Sequence, residues 1–314
     1  MSAQTTGDGA GPLTLGDLRG SKSRRRREAV IRAAFLAAGV ISIVISLLIV
    51  ISLFGRAVDF LRQVPLSSLF DIGWFPRRGL FDVRTILVGT LLVTVIAMVV
   101  ATPIGLGAAI YLSEYASPKA RRRLKPILEL LAGIPSVVMG FFALTVISPN
   151  IVQPLCSADI FNIAAAGIGV GILVVPLVAT VAEDAMYSVP SALREASYGL
   201  GAKRITTSLR VVFPAAVSGI VASLILGMSR AIGETLVVAM VAGGTGGSLF
   251  TLNVCGPGQT MTGAMAALAT GSDQVRGAGA AYVSLFFIGL LLFLITLLLN
   301  IVSERFVRRV RKAY

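Results

Sequence analysis

The chain has 314 residues, of which 55% are hydrophobic and only 14% charged, and its mean hydropathy is +0.87. This composition excludes an ordinary soluble domain and is typical of a membrane protein with several spans. The net charge of +13 would suit a nucleic-acid partner, but the basic clusters flank apolar runs and carry no interleaved aromatic residues, which argues against that class.

The first segment, residues 1–28, is rich in Gly, Ser and Thr and ends in an arginine cluster. We expect it to be a disordered, basic cytoplasmic tail. The apolar run that follows is too long for a signal-peptide core and lacks a small-residue cleavage site, so we interpret it as an uncleaved anchor. Residues 29–82 are then the first transmembrane helix and an outer loop, which carries Pro65, Trp74 and Pro76.

Apolar runs of about 20 residues are needed to cross a bilayer core of about 30 Å. The sequence contains six such runs, which predicts an all-α, polytopic fold with six transmembrane helices. They are Phe35–Gly55, Thr85–Leu112, Ile127–Ile147, Ile163–Val181, Val211–Ala242 and Ala280–Val302. We expect residues 83–304 to form the transmembrane core and residues 305–314 a second basic tail.

The basic residues are placed unevenly between the predicted loops. Most of the 28 lysines and arginines lie before the first run, between the second and third, between the fourth and fifth, and after the sixth. With six spans, these segments share one side of the membrane. The positive-inside rule then predicts a multi-pass membrane protein with both termini in the cytoplasm.

The chain lacks the residues that several classes of enzyme require. The chain has no histidine, and none of its lysines follows a glycine, so it cannot build a Walker A loop. An intramembrane enzyme would need a nucleophile and a base in the spans, and no such set is present. The run Gly167–Gly171 lies inside an apolar span without a preceding strand, which favours close helix packing over a nucleotide loop. We predict no catalytic residue, no metal site and no cofactor.

The polar stretch of residues 183–214 separates the fourth and fifth apolar runs. Pro190 suits the first turn of a helix that contains Glu195 and Ala196, and Gly201 permits a sharp break. A second short helix, from Lys203 to about Arg210, leads to Pro214, where we expect the fifth span to begin. The pattern predicts a helix–turn–helix elbow. An ordinary amphipathic connector with its charges in water is the alternative.

A charged pair lies inside the fifth apolar run. Arg230 comes sixteen residues after Pro214, about 24 Å along a helix and well inside the bilayer. Arg230 and Glu234 are four residues apart, so we expect them to share one helix face and to be able to pair. Arginine offers a planar fork of donors suited to a tetrahedral oxyanion, so we predict that Arg230, Glu234 and the adjacent Thr235 line a substrate pathway. A buried structural ion pair is the alternative.

Cys156 and Cys255 are the only cysteines, and the predicted topology places both on the outer side. Disulfides persist outside the plasma membrane. A bridge between the loops after the third and fifth spans and two unrelated thiols both remain open.

The spacing Glu195–Ala196, Gly201, Pro214 resembles the EAA signature of ABC-importer permeases, with Ser197 in place of the second alanine. The segments Ser229–Thr235 and Glu129–Gly140 resemble those of phosphate-specific ABC permeases, and the apolar Leu236–Met240 is more similar to the PstC type than to the PstA type. The resemblance implies the type I (MetI-like) permease fold and a location in the bacterial plasma (inner) membrane. It also implies that Glu195, Ala196, Gly201 and Pro214 couple the chain to an ATPase.

Further partners follow from that resemblance. They are a homologous permease of the PstA type, an ATPase dimer that binds ATP and Mg, and an external phosphate-binding protein. Within the transporter class, the alternatives are a permease for sulfate, molybdate or another oxyanion, and the PstA-type phosphate permease itself. A scaffold or sensor that uses the permease fold only for signalling is a further alternative, and it should tolerate the loss of Arg230.

Overall fold

The structure, a computed structural model, describes residues 22–244, 246–270 and 279–311. Over these residues it is almost entirely helical. Five helices are long and apolar enough to cross a membrane, and there are six such spans when one bent helix pair is counted as a single span. This confirms the predicted all-helical, multi-span fold.

The helices and strands are named here in chain order. The helices are α1 (Lys22–Gln63), α2 (Val83–Ile110), α3 (Pro118–Leu131), α4 (Ser136–Phe142), α5 (Gln153–Cys156), α6 (Ile163–Tyr187), α7 (Ser191–Gly199), α8 (Arg204–Thr207), α9 (Phe213–Ala215), α10 (Val217–Ile232), α11 (Leu236–Val241), α12 (Met261–Thr270) and α13 (Gly279–Arg311). The strands are β1 (Gly73–Phe75), β2 (Leu80–Phe81) and β3 (Ser248–Leu249). Stretches of π-helix at Tyr111–Tyr115, Ala143–Val152 and Ser208–Val212 extend α2, α4 and α8.

The predicted tails are only partly described. Residues 1–21 and 312–314 lie outside the described residues, whereas residues 22–28 are the first turns of α1 rather than disordered. The helix α13 likewise continues through the predicted C-terminal tail as far as Arg311. The chain divides into two compact units at Ser52, within α1. The described part of the first unit is a helix whose apolar side chains, such as Phe35 and Leu36, are exposed.

The third span begins later than predicted. The candidate span is Ser136–Cys156, not Ile127–Ile147, and residues 127–131 belong to α3, a separate helix with no buried side chain. A turn at residues 132–135 separates the two helices. The prediction was wrong because Pro135, which we placed inside the span, instead precedes its first residue, as prolines commonly do at helix starts.

The fifth span is not one straight helix. Its first part, Arg204–Ala215, meets α10 at an angle of 73°. Pro214 therefore lies before the bend, in α9, and α10 begins only at Val217. The span is broken again between α10 and α11, at residues 233–235. The predicted continuous run Val211–Ala242 is thus divided between three helices.

The centre of the second unit is the contact between α2 and α6, where small residues let the two backbones approach. A Cβ atom on Gly171 would lie 2.9 Å from the carbonyl oxygen of Ala97, and one on Gly167 would lie 2.7 Å from Ile96 Cβ. The glycine run therefore serves helix packing, as predicted. Ala97, Val170 and Val174 belong to the buried core at this contact, which α4 and α11 complete.

The loop that we predicted on the outer side contains a small sheet. Strand β1 pairs with β2 and β3 in an antiparallel sheet of order β2-β1-β3. Trp74 and Phe81 are buried there with Phe60 near the end of α1, whose ring lies 5.1 Å from that of Phe81. Asp82 then begins α2, since its carboxylate accepts hydrogen bonds from the Arg84 backbone and from Thr85 Oγ1.

Candidate functional site

The break in the fifth span contains two of the predicted pathway residues. Gly233 ends α10, and Glu234 Oε1 accepts hydrogen bonds from the backbone N–H groups of Leu236 (3.2 Å) and Val237 (3.4 Å). The carboxylate thus stabilises the start of α11, as acidic groups do at helix N-termini. Thr235 is half-buried at the position before α11, and its hydroxyl donates to the carbonyl of Gly233.

The prediction that Arg230 and Glu234 lie on one continuous helix face was wrong. Gly233 has low helix propensity, and the Glu234 carboxylate bonds to the backbone of the next helix instead. The carbonyl of Glu234 also accepts a hydrogen bond of 2.7 Å from Thr262 Oγ1, which joins the break to α12. Glu234 therefore bonds to α11 through its carboxylate and to α12 through its carbonyl oxygen.

Arg230 lies in the last turn of α10 and is exposed in the isolated chain. Its guanidinium has no hydrogen-bond or ion-pair partner among the described residues. The neighbouring Ser229 Oγ donates to Asn300 Oδ1 of α13 at 3.2 Å, which fixes this side of α10 against α13. A cation inside a membrane span usually faces a bundle interior or a water-filled path, so this surface is available to an anion or to another subunit.

A cavity of about 180 Å³ lies between α11 and α12, beside the break. Its polar lining comes from Gln259, Thr260 and Thr270, and glycines form much of the remaining wall. Gln259 is only 5% exposed, and its Oε1 is the one buried side-chain oxygen without a hydrogen-bond partner among the described residues. Burying an oxygen without a hydrogen-bond donor costs about 1–3 kcal/mol of stability. A conformation that brings a donor to this oxygen would recover that free energy.

The elbow, defined here as residues 190–212 within the predicted stretch 183–214, contains three of the four predicted coupling residues. Glu195 and Ala196 lie on the exposed side of α7, and Leu200 at its end is 90% exposed. Gly201 adopts φ +76°, the left-handed conformation that glycine favours after a helix. The hydroxyls of Ser197 and Thr207, 2.8 Å apart, join α7 to α8. The fourth coupling residue, Pro214, lies two residues after the elbow, in α9.

Two ion-pair clusters, which the sequence analysis missed, fasten the elbow end of the bundle. In the first, Arg194 of α7 bonds to the carboxylate of Glu114, whose side chain is 2% exposed, and to the carbonyl oxygens of Met186 and Val189. This one guanidinium holds α7 against the ends of α2 and α6.

The second cluster surrounds Glu183, whose side chain is fully buried near the end of α6. Glu183 accepts hydrogen bonds from Arg121 Nε at 2.7 Å and from Lys125 Nζ at 2.8 Å, and Lys125 also pairs with Asp184. The Arg121 guanidinium lies 3.5 Å above the Tyr187 ring. Burial lowers the pKa of the Lys125 ammonium, but its bonds to Asp184 and Glu183 outweigh burial, so the pKa is raised above its ordinary value.

A sequence signal for these clusters existed. Glu114 and Glu183 are carboxylates at the ends of apolar runs, and a buried carboxylate must be paired. We had counted Arg121, Lys125 and Arg194 only as loop charges for the topology. Their partners lie 62, 58 and 80 positions away in the chain, so no local spacing identifies them.

The two cysteines form a disulfide in the structure. Cys156 and Cys255 have Cα atoms 6.2 Å apart and are 99 positions apart in sequence. The bridge joins the end of α5 to the loop before α12, at the end of the bundle opposite the elbow. It constrains the loop that leads into Gln259 and Thr260.

Comparison with known proteins identifies the family. Residues 101–312 match the model of the binding-protein-dependent transport system inner membrane component. The chain is 30% identical over 303 residues to the phosphate transport system permease protein PstC of Mesorhizobium japonicum, an alignment covering 90% of each chain. It is 38% identical over 183 residues to the probable ABC transporter permease protein YqgH of Bacillus subtilis, covering 58% of this chain and 59% of that protein.

Solved structures show the same fold at low sequence identity. A bacterial ABC transporter involved in the import of the acidic polysaccharide alginate matches with a TM-score of 0.61 and 17% identity, covering 91% of this chain and 99% of that chain. An inward-facing MetNI methionine ABC transporter matches with a TM-score of 0.53 and 21% identity, covering 71% and 93%. These likenesses establish the fold alone.

Proposed function

We propose that this chain, which belongs to the family of binding-protein-dependent transport system inner membrane components, is the permease subunit of an ATP-driven importer of inorganic phosphate. It is a multi-pass inner membrane protein and the permease component of an ABC transporter, not a catalytic subunit. Membership also implies an ATPase and a binding protein as partners. The choice of phosphate is supported by the similarity to a phosphate permease over 303 residues.

The proposed path for the anion passes the break in the fifth span. Arg230 carries a fixed positive charge without a partner among the described residues, and its fork of donors suits a tetrahedral oxyanion. Glu234 and Thr235 shape the break rather than neutralise Arg230, since the carboxylate is bonded to the start of α11. Arg230 therefore remains available to a passing anion, while Glu234 keeps the helix interrupted beside it.

The elbow is the proposed contact with the ATPase. Glu195, Ala196 and Gly201 lie there, and the apolar side chains of Leu193, Tyr198 and Leu200 are exposed on the same segment. Exposed apolar groups rimmed by polar ones mark protein interaction sites. Closure of an ATPase dimer would move the elbow, and the Arg194–Glu114 contact would transmit that movement to α2 and α6.

The remaining parts of the proposal concern topology and assembly. We place both termini in the cytoplasm, with the elbow, because the basic residues concentrate on that side. The second permease is a homologous subunit of the PstA type, facing the exposed Arg230. Pro214, at the junction of the elbow and the 73° bend, fixes the direction in which the span leaves the elbow.

The decisive experiment compares oxyanions in the complete complex. The chain is reconstituted in proteoliposomes with its homologous permease, ATPase and binding protein, and ATP hydrolysis and uptake are measured with phosphate, sulfate or molybdate. Phosphate should stimulate both activities. Stimulation by sulfate or molybdate and indifference to phosphate would instead identify the chain as a permease for another oxyanion.

A further inference from the structure

Helix α3 is a charged helix placed between two membrane spans. It has 14 residues, five of them basic, and none of its side chains is buried. At about 21 Å it is too short to cross a bilayer, and its charges exclude it from the hydrocarbon core. It follows α2 after one loop and precedes α4 after another. Because both ends lead into spans, α3 lies close to the membrane boundary.

The side chains of α3 fall on three faces. One face is fastened to the bundle, since Arg121 and Lys125 bond to Glu183. A second face is the apolar stripe, defined as Leu124, Ile127 and Leu131, whose exposures are 38%, 50% and 43%. The spacing of three and four residues keeps these side chains on one face of the helix.

The third face is mainly polar, but it includes Leu130, which is 77% exposed and lies about 90° from the centre of the apolar stripe. At about 100° per residue, Arg123 lies about 70° and Lys119 about 110° from the centre of the apolar stripe, while Arg122 and Glu129 lie about 170° away. Lys119 and Arg123 therefore lie on the same side of the stripe, and Arg122 is opposite it. None of these three cations has a partner among the described residues.

Pro126 indicates which face meets water. Proline has no N–H, so the Arg122 carbonyl loses its partner four residues later in the helix. An unpaired carbonyl is costly in hydrocarbon but is readily hydrated. Since Pro126 and Arg122 lie on the polar side, that side must face water and the apolar stripe must face the opposite way.

We propose that α3 is an interfacial helix whose apolar stripe enters the leaflet on the elbow side, and whose Lys119 and Arg123 bind the phosphate groups of anionic phospholipids. An amphipathic helix with cations beside its apolar face binds anionic leaflets in this way. Each such cation favours the bound state by about fivefold. The bonds of Arg121 and Lys125 to Glu183 then link the position of α3 in the leaflet to α6. The inference depends on the membrane position of the spans and not on which anion is transported.

The first test measures where the side chains of α3 lie. Both native cysteines are joined in the disulfide, so nitroxide labels on Ile127→Cys and Arg122→Cys report single positions in the complete complex. The labelled chain is assembled in vesicles with partner subunits that carry no cysteine. The access of two reagents to each label is then measured, namely oxygen, which concentrates in lipid, and a nickel reagent, which stays in water. Oxygen should reach position 127 better, and the nickel reagent should reach position 122 better.

The second test addresses the headgroup. In vesicles with increasing phosphatidylglycerol in phosphatidylcholine, the label at position 127 should move deeper, and this dependence should be lost in a Lys119→Gln/Arg123→Gln background. Arg122→Gln is the matched control, because it removes one cation from the water-facing side and should retain most of the dependence. Added inorganic phosphate should leave the depth unchanged if lipid is the source of the phosphate group.

Three outcomes would overturn the proposal. Access of the nickel reagent to position 127 would show that α3 stands away from the leaflet. Protection of position 127 from both reagents in the complex, but not in the isolated chain, would identify a protein partner as the occupant. Reversal of the depth change by inorganic phosphate would identify a site for the free anion instead.

Discussion

Arg194 binds Glu114 across 80 positions of sequence, with Nη2 donating to Oε1 at 2.8 Å and Nε donating to Oε2 at 3.3 Å. The same guanidinium donates to the carbonyl oxygens of Met186 and Val189. One side chain thus connects α7 of the elbow with the ends of α2 and α6. The elbow is therefore held to the membrane bundle by a contact that is chemically specific and easily tested.

Replacing Arg194 by Gln should destabilise the chain strongly. The Glu114 carboxylate, only 2% exposed, would lose its cation, and breaking a buried pair from one side costs about 3–5 kcal/mol. The double variant Arg194→Gln/Glu114→Gln should recover much of that loss. Thermal unfolding in detergent measures both, with the exposed Arg210→Gln as control. A double variant no more stable than the single one would contradict this account.

Replacing Arg230 by Gln should reduce phosphate uptake while leaving the complex assembled. Loss of a charge-assisted hydrogen bond to the anion is worth about 1.5–3 kcal/mol, or about ten- to a hundredfold in uptake. Arg230→Lys keeps the positive charge but not the planar set of guanidinium donors. Its phosphate uptake should lie between those of the wild type and Arg230→Gln. Uptake in proteoliposomes and co-purification of the partners are the measurements, with exposed Arg62→Gln as control. Failure to assemble would favour a structural role for Arg230.

The conformation of Gly201 can be tested against a neighbouring glycine. Both Gly201 and Gly199 have open space where a Cβ would be added, but only Gly201 has a positive φ. Gly201→Ala should therefore cost about 1–2 kcal/mol in the elbow and weaken the stimulation of ATP hydrolysis by substrate. Gly199→Ala should be tolerated. Equal ATPase coupling in the two variants would exclude a role for the Gly201 turn.

The disulfide between Cys156 and Cys255 predicts that neither thiol is alkylated before reduction. It closes a loop of 99 positions, for which the chain-entropy model gives about 4–5 kcal/mol of stabilisation. Intact mass after alkylation, with and without reductant, tests the bond, and the unfolding temperature of the reduced protein tests the stabilisation. In a Cys156→Ser variant, Cys255 should react without reductant. Alkylation of both thiols in non-reduced native protein would refute the bridge.

The features that followed from the sequence are those with local physical causes. Long apolar runs predicted the spans, and Pro190 and Gly201 predicted where the elbow helix begins and where the chain turns. Each of these depends on residues that are close together in the chain.

The features that did not follow depend on distant contacts. The break after Ile232 depends on Gly233, a single glycine within an apolar run. It also depends on Thr262, which bonds to the carbonyl of Glu234 from 28 positions further along the chain. Arg121 of α3, one of the two partners of Glu183, lies 62 positions earlier in the chain. A buried carboxylate must pair with a cation, and the sequence predicts that need. The identity of the cation depends on which residues the fold brings close to the carboxylate.

The 73° bend at Ala216 has a mechanical meaning. A push along the axis of Arg204–Ala215 would meet α10 at 73°, so it would exert a torque on that helix rather than compress it lengthwise. Arg230 lies near the far end of α10, about 20 Å from the pivot, so a tilt of about 10° sweeps its Cα through about 3–4 Å. A displacement of that size is sufficient to make or break a hydrogen bond between the guanidinium and an anion beside it.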